Sequence, residues 1–324
     1  MSPETVAAIA RLRDERILSD AQAEAFGRAA RGDLLSIRGE LRLILYAGVV
    51  LLTTGVGLFL KENHDRIGPA AIAAIIAAAA AACLWYAARR TPAFTWGEAP
   101  STHVAADYLL LLSMLLFGAD LAYAESQFRL LGPHWSWHLL IVSVVYLVAA
   151  YRFDSRAVLT LALTSFAAWR GVAVAMPFGA ARYGDAATAG EVRLNAIAVG
   201  ILYVAAGVVT ARTRRKAHFE SVWVASGMVL LFGALLSGVF GSHGDWIAWE
   251  AALVVLGGAA LAASWRLRRP LEFGIATAAL YLGGLRLLGE ALDSQLTLLI
   301  IAAWSVGALV FLIRSTRRLR RADE

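Results

Sequence analysis

The chain has 324 residues, 59% of them hydrophobic, and a mean hydropathy of +0.64. That is well above the roughly 45–50% apolar content of soluble domains, and little chain is left over for a soluble catalytic domain. The net charge of +6 and pI near 9.8 do not point to nucleic acid, because the cations sit in short loops between apolar runs, the pattern of membrane topology.

The N-terminus is polar and charged rather than leader-like, so the first apolar span is expected to direct insertion. Residues 2–31 read as two short helices. Ser2-Pro3-Glu4 supplies one start signal. Ser19-Asp20-Ala21-Gln22 supplies another, with Ser19 and Gln22 spaced as a capping box. Val6, Ile9, Leu12, Ile17, Leu18 and Phe26 are placed to join the two helices as a hairpin. Residues 1–38 are thus expected to form a cytoplasmic helical lead that can dock a protein partner, and 39–324 a transmembrane domain with a short basic cytoplasmic tail.

About ten apolar spans follow, an all-α polytopic bundle. They are expected near 41–60, 69–88, 104–124, 135–151, 156–177, 194–211, 219–240, 246–264, 270–289 and 294–313. The second carries an alanine run at 77–82 that predicts close packing inside the bundle. The longest outer connection is expected at about 178–193.

With the N-terminus inside, twenty positive residues from Arg28 onward fall on the cytoplasmic side and five on the outer side. Every inner loop then obeys the positive-inside rule, and both termini are cytoplasmic. Trp135, Trp137, Trp246 and Trp249 fall at the outer interface; Trp85, Tyr86, Tyr151 and Trp265 at the inner one. The alanine and arginine richness suggests a GC-rich bacterial genome and hence an inner membrane. Lys61 and Lys216 are the only lysines, and the lone Cys83 precludes an intramolecular disulfide.

The pattern Ile17-Leu18-Ser19-Asp20-Ala21-Gln22-Ala23 precedes a Gly-rich span, Leu43 to Leu60, and a polar turn, Lys61-Glu62-Asn63-His64-Asp65-Arg66-Ile67. An Ala-rich span comes next. Over about residues 5–85 this resembles the bacterial predicted-membrane-protein family catalogued as domain of unknown function 2157. The Asn63…Asp65 turn is similar to that family's polar turn. The resemblance implies a membrane location and no activity, cofactor or ligand.

Ionisable groups inside a membrane cost about 2.5–3.5 kcal/mol each at a helix centre, so each one calls for a reason. The candidates are Asp120, Arg170, Glu250 and Arg286, with Glu125, His138 and Glu290 nearer the outer surface. Arg170 has no same-helix partner and is expected to pair with Asp120 or Glu250. Arg286 can meet Glu290 four residues on. His134 and His138 share a helix face at the spacing of two metal ligands, as do His103 and Asp107, but interfacial capping fits them better than a metal. Gly48 and Gly55, and the row Gly233, Ser237, Gly241, are expected to let helices approach closely.

There is no phosphate loop, no His-Glu-x-x-His and no nucleophile elbow. The expected function is therefore a non-enzymatic integral membrane component, without cofactor, acting through partners in the lipid bilayer. The alternative is a small-solute permease of two inverted five-helix halves with a polar site in the outer half. Against it, residues 41–177 and 194–313 show no internal similarity.

Overall fold

The computed structural model describes residues 68–99, 104–175, 186–241, 246–291 and 296–321, together with part of 11–26 and single positions between 44 and 58. The chain divides into two compact units, Met1–Asp65 and Arg66–Glu324. The expected boundary at 38–39 falls within the first of them.

In the first unit, residues 11–14 are helical, Ile17 and Leu18 form a bend, and helix resumes at Asp20. The capping box is present. Gln22 N–H donates to Ser19 Oγ (3.3 Å), and Ser19 N–H donates to Gln22 Oε1 (3.0 Å). Arg13 Nε pairs with Asp20 Oδ1 at 2.7 Å across the bend. Leu12, Ile17 and Phe26 are exposed and Ala23 is buried. Val6 and Ile9 lie outside the described residues, as does most of the first expected span, where Ile44, Ala47, Gly48, Leu51, Thr54, Gly55 and Leu58 are helical.

All described secondary structure in the second unit is helical. Its α-helices are α1 (Pro69–Arg90), α2 (Val104–Phe128), α3 (Trp137–Phe153), α4 (Arg156–Ala175), α5 (Ala186–Thr213), α6 (Glu220–Val239), α7 (Trp246–Arg266), α8 (Pro270–Ala291) and α9 (Leu296–Arg321). Each overlies one expected span. Among the described residues, six regions, in α1, α2, α5, α6, α7 and α8, are long and apolar enough to cross a membrane; α3 and a stretch of α9 are shorter apolar helices. Helix ends carry local signals. Pro69 follows Gly68 (φ 79°) at the start of α1, whose last turn holds Arg89 and Arg90. Arg89 also lies 3.9 Å above the exposed Trp85 ring. The helix α5 begins at Ala186, inside the expected outer connection.

The packing runs largely between chain neighbours: α1 on α2, α3 on α4, α5 on α6 and α7 on α8, with α6 also contacting α7 and α8 and α9 resting on α8. One apolar core joins α1 to α6 through Leu110, Met114, Tyr146, Val158, Leu159 and Phe219. A second joins α6, α7 and α8 through Met228, Phe232, Leu253 and Ala276. Hydroxyls tie the helices of the first core to each other's backbones. Ser113 Oγ donates to Ala80 O (2.8 Å), Ser143 Oγ to Ala162 O (2.9 Å), and Tyr203 OH to Leu163 O (2.7 Å).

Two packing expectations are corrected. The alanine run of α1 is peripheral: Ile72, Ile76, Ala80 and Ala87 are buried, whereas Ala77–Ala79, Ala81 and Ala82 are exposed. Side chains that small give α2 one narrow stripe to cover. The close helix contact is also not made by Gly233, whose Cβ position faces open space; most of the span that holds Gly48 and Gly55 lies outside the described residues. The close contact is made by Gly200 and Gly227 on the α5–α6 seam, where a Cβ on Gly227 would lie 2.6 Å from Gly200 O.

Candidate functional site

Among the described residues, the expected intramembrane charges engage different partners, and Arg286 with Glu290 is the one ion pair between them. Arg170 (α4) donates from Nε (3.1 Å) and Nη2 (2.8 Å) to Asn195 Oδ1 on α5. This replaces the pairing expected with Asp120 or Glu250. An amide oxygen accepts two guanidinium donors without bringing a second buried charge, so a neutral residue serves where an acid was sought. A double-mutant cycle between Arg170→Ala and Asn195→Ala should give a coupling of about 1–2 kcal/mol. With Asp120→Ala in place of Asn195→Ala the effects should add; unfolding in mixed micelles measures both.

Asp120 (α2) has a buried Oδ1 with no hydrogen-bond partner among the described residues, and Tyr123 OH, one turn on, has none either. Glu125 Oε2 accepts from Leu131 N–H (2.9 Å) and closes the turn after α2. His138 is buried at the start of α3; its Nδ1 donates to Trp135 O (2.5 Å) and its ring stacks on Trp135 at 5.8 Å. His134 is exposed one turn away. Arg286 and Glu290 meet on α8 at 3.2 Å, as their spacing predicts, and the Arg286 guanidinium lies 5.3 Å from the Trp246 ring centroid. Glu250 (α7) is 5% exposed, and its Oε2 has no partner among the described residues. His103, His243 and Asp245 lie outside the described residues.

Among the described residues, a denser polar constellation lies elsewhere, in the loops joining α1 to α2, α3 to α4 and α5 to α6. Asp154 ends α3 in the left-handed region (φ 58°), a conformation that Asp tolerates better than most residues, and its N–H closes the helix on Ala150 O. Its carboxylate lies 3.0 Å from Lys216 Nζ and 2.5 Å from His218 Nε2, with side-chain exposures of 5%, 1% and 8%. These are close approaches rather than aligned hydrogen bonds, since neither Asp154 Oδ1 nor His218 Nε2 has an aligned partner among the described residues.

The segment 91–99 folds over this group. Ala99 N–H donates to Asp154 Oδ2, Lys216 N–H donates to Trp96 O (2.8 Å), and Lys216 Nζ lies 5.4 Å from the Phe94 ring centroid. Arg152 Nη1 reaches Pro92 O at 3.3 Å. The outlying pair Arg156–Glu98 (3.1 Å) is exposed and contributes little. The fourth junction on this side adds Arg269, before α8, paired with Glu220 at the start of α6. Four connections expected on one side of the membrane are thus laced together.

Sequence reasoning counted Lys216 only as a topological charge and passed over Asp154 and His218. The available signal was compositional. In a chain whose loop cations are nearly all arginine, a lysine is an exception, and a compact ammonium fits a three-way buried contact that a planar guanidinium does not.

Residues 10–159 match the model of a family described as predicted membrane protein (DUF2157). The resemblance read over residues 5–85 therefore holds and extends into α4. No curated protein and no solved structure matches the chain. With its several membrane-length apolar helices, the chain is a multi-pass membrane protein.

Proposed function

We propose that the chain is a non-enzymatic component of a bacterial inner membrane that crosses it about ten times, keeps both termini in the cytoplasm, and acts through a protein partner docked on its N-terminal helices. The observation that carries this reading is the pairing of order with exposure in the first unit. The capping box fixes the helix that begins at Asp20, while Leu12, Ile17 and Phe26 around it are exposed. Apolar side chains on an ordered polar element are a binding surface in search of a partner. The lacing of these arginine-bearing loops supports placing them on one side.

The permease alternative has the dispersal of its proposed pathway against it. Arg170 is engaged by Asn195, Arg286 by Glu290 and His138 by Trp135 O.

Deleting residues 1–31 should leave membrane insertion and the melting curve of the detergent-purified protein unchanged. It should abolish co-purification of a partner that cross-links to the full chain through Ile17 or Phe26 carrying a photoreactive side chain. A cross-linking pattern identical for Leu12, Ile17, Phe26 and a solvent-facing control such as Glu24 would sink the docking reading.

A further inference from the structure

Glu250 faces a crevice between α7, α8 and α9 with a volume of about 710 Å³, lined almost wholly by apolar side chains. Pockets for drug-sized ligands run to roughly 300–1,000 Å³, so this one admits a molecule rather than a few waters. The carboxylate is held there by design of the facing helix. A Cβ at Gly283 of α8 would come within 2.6 Å of Leu253 Cδ2 and 2.7 Å of Glu250 Oε1, so glycine lets both side chains lie against α8 where a larger residue would push them aside.

The other polar groups of the crevice are spent on one another. Tyr281 OH and Ser305 Oγ share a hydrogen bond at 2.7 Å, and Trp304 Nε1 donates to Tyr281 O at 3.4 Å. Arg286, the cation one turn along α8 from Gly283, pairs through Nη2 with Glu290 and lies over the Trp246 ring, while its buried Nε has no partner among the described residues. Glu250 enters no ion pair among the described residues, and its Oε2 is buried without a donor. The ionised carboxylate in such an apolar wall is stabilised by a cation that brings its own apolar surface, and Trp304 and Phe311 add aromatic lining of the kind that attracts cations.

We propose that this crevice is a binding site for a lipophilic monocation, with Glu250 as its counter-ion. The site is independent of the N-terminal docking surface, so deletion of residues 1–31 should leave it intact.

The test uses the full-length protein in a non-ionic detergent, with tetraphenylphosphonium as probe and tetraphenylborate as the anion of matched shape. Saturable binding of the cation alone is expected. Glu250→Gln should weaken it by roughly 30-fold or more, the scale of losing one desolvated charge contact. Glu98→Gln, at an exposed acid outside the crevice, should not change it. Gly307→Leu should abolish it by filling the crevice; the Gly307 Cβ position meets nothing within 4 Å, so the added side chain enters open space. Equal binding of cation and anion, wild-type affinity in Glu250→Gln or in folded Gly307→Leu, or no saturable binding to the wild type would each overturn the proposal.

Discussion

Lys216→Met is expected to destabilise the protein by about 3–5 kcal/mol, because it leaves the Asp154 carboxylate buried without its principal cation. Methionine keeps most of the stem's volume, so the loss reads charge rather than packing. At 1% and 5% side-chain exposure, neither partner can turn to water for relief. The companion variant is Asp154→Asn, chosen because asparagine also accepts the left-handed backbone at φ 58°. The double variant Asp154→Asn/Lys216→Met should recover much of the stability lost by Lys216→Met, since both the buried charge and its counter-charge are then gone. Unfolding in mixed micelles of detergent and dodecyl sulfate supplies the comparison. A Lys216→Met protein as stable as the wild type would reduce the loop constellation to a surface ornament.

Gly227→Leu should be comparably damaging, through sterics alone. A Cβ at position 227 would lie 2.6 Å from Gly200 O and 2.9 Å from Val204 N, and a Cβ at 200 would lie 2.8 Å from Gly227 O. The obstacles are backbone atoms, which cannot rotate aside, so the two helices must separate. Overpacking of a tight core costs about 1–3 kcal/mol even where side chains can adjust; Gly227→Ala should fall in that range and Gly227→Leu beyond it. Gly233→Leu, on the same helix and facing open space, should be close to neutral. The contrast between the two leucine variants in thermal stability and monodispersity is the decisive reading. If they behave alike, α5 and α6 do not meet at this seam.

What was legible in the sequence was local. Apolar length placed α1 to α9, Ser19 and Gln22 announced their own hydrogen bonds, and Arg286 found Glu290 at four residues' distance. What was not legible depends on which helix faces which. The glycine row at 233–241 has the right spacing, yet Gly233 faces outward, while Gly200 and Gly227 become neighbours only once α5 and α6 are antiparallel. Arg170 illustrates a different gap. Its partner, Asn195, carries no charge, so an inventory of ionisable groups passes it by. Asp154, Lys216 and His218 combine both gaps: they are remote from each other in the chain and sit in loops, where no periodicity reports burial.

The loop lacing has a bearing on the order in which the molecule can be completed. During synthesis, α1 to α4 emerge with Trp96, Ala99 and Asp154 already in place, but Lys216 follows on the order of 60 residues later. At about 5–20 residues per second, that is a wait of several seconds. Through that interval the nascent bundle holds a half-made keystone, a carboxylate positioned by the end of α3 with no cation to receive it. The segment that matches the family model stops at residue 159, on the early side of this wait. A fragment cut there would carry Asp154 without Lys216 or His218, and would be stranded at the stage that the growing chain only passes through.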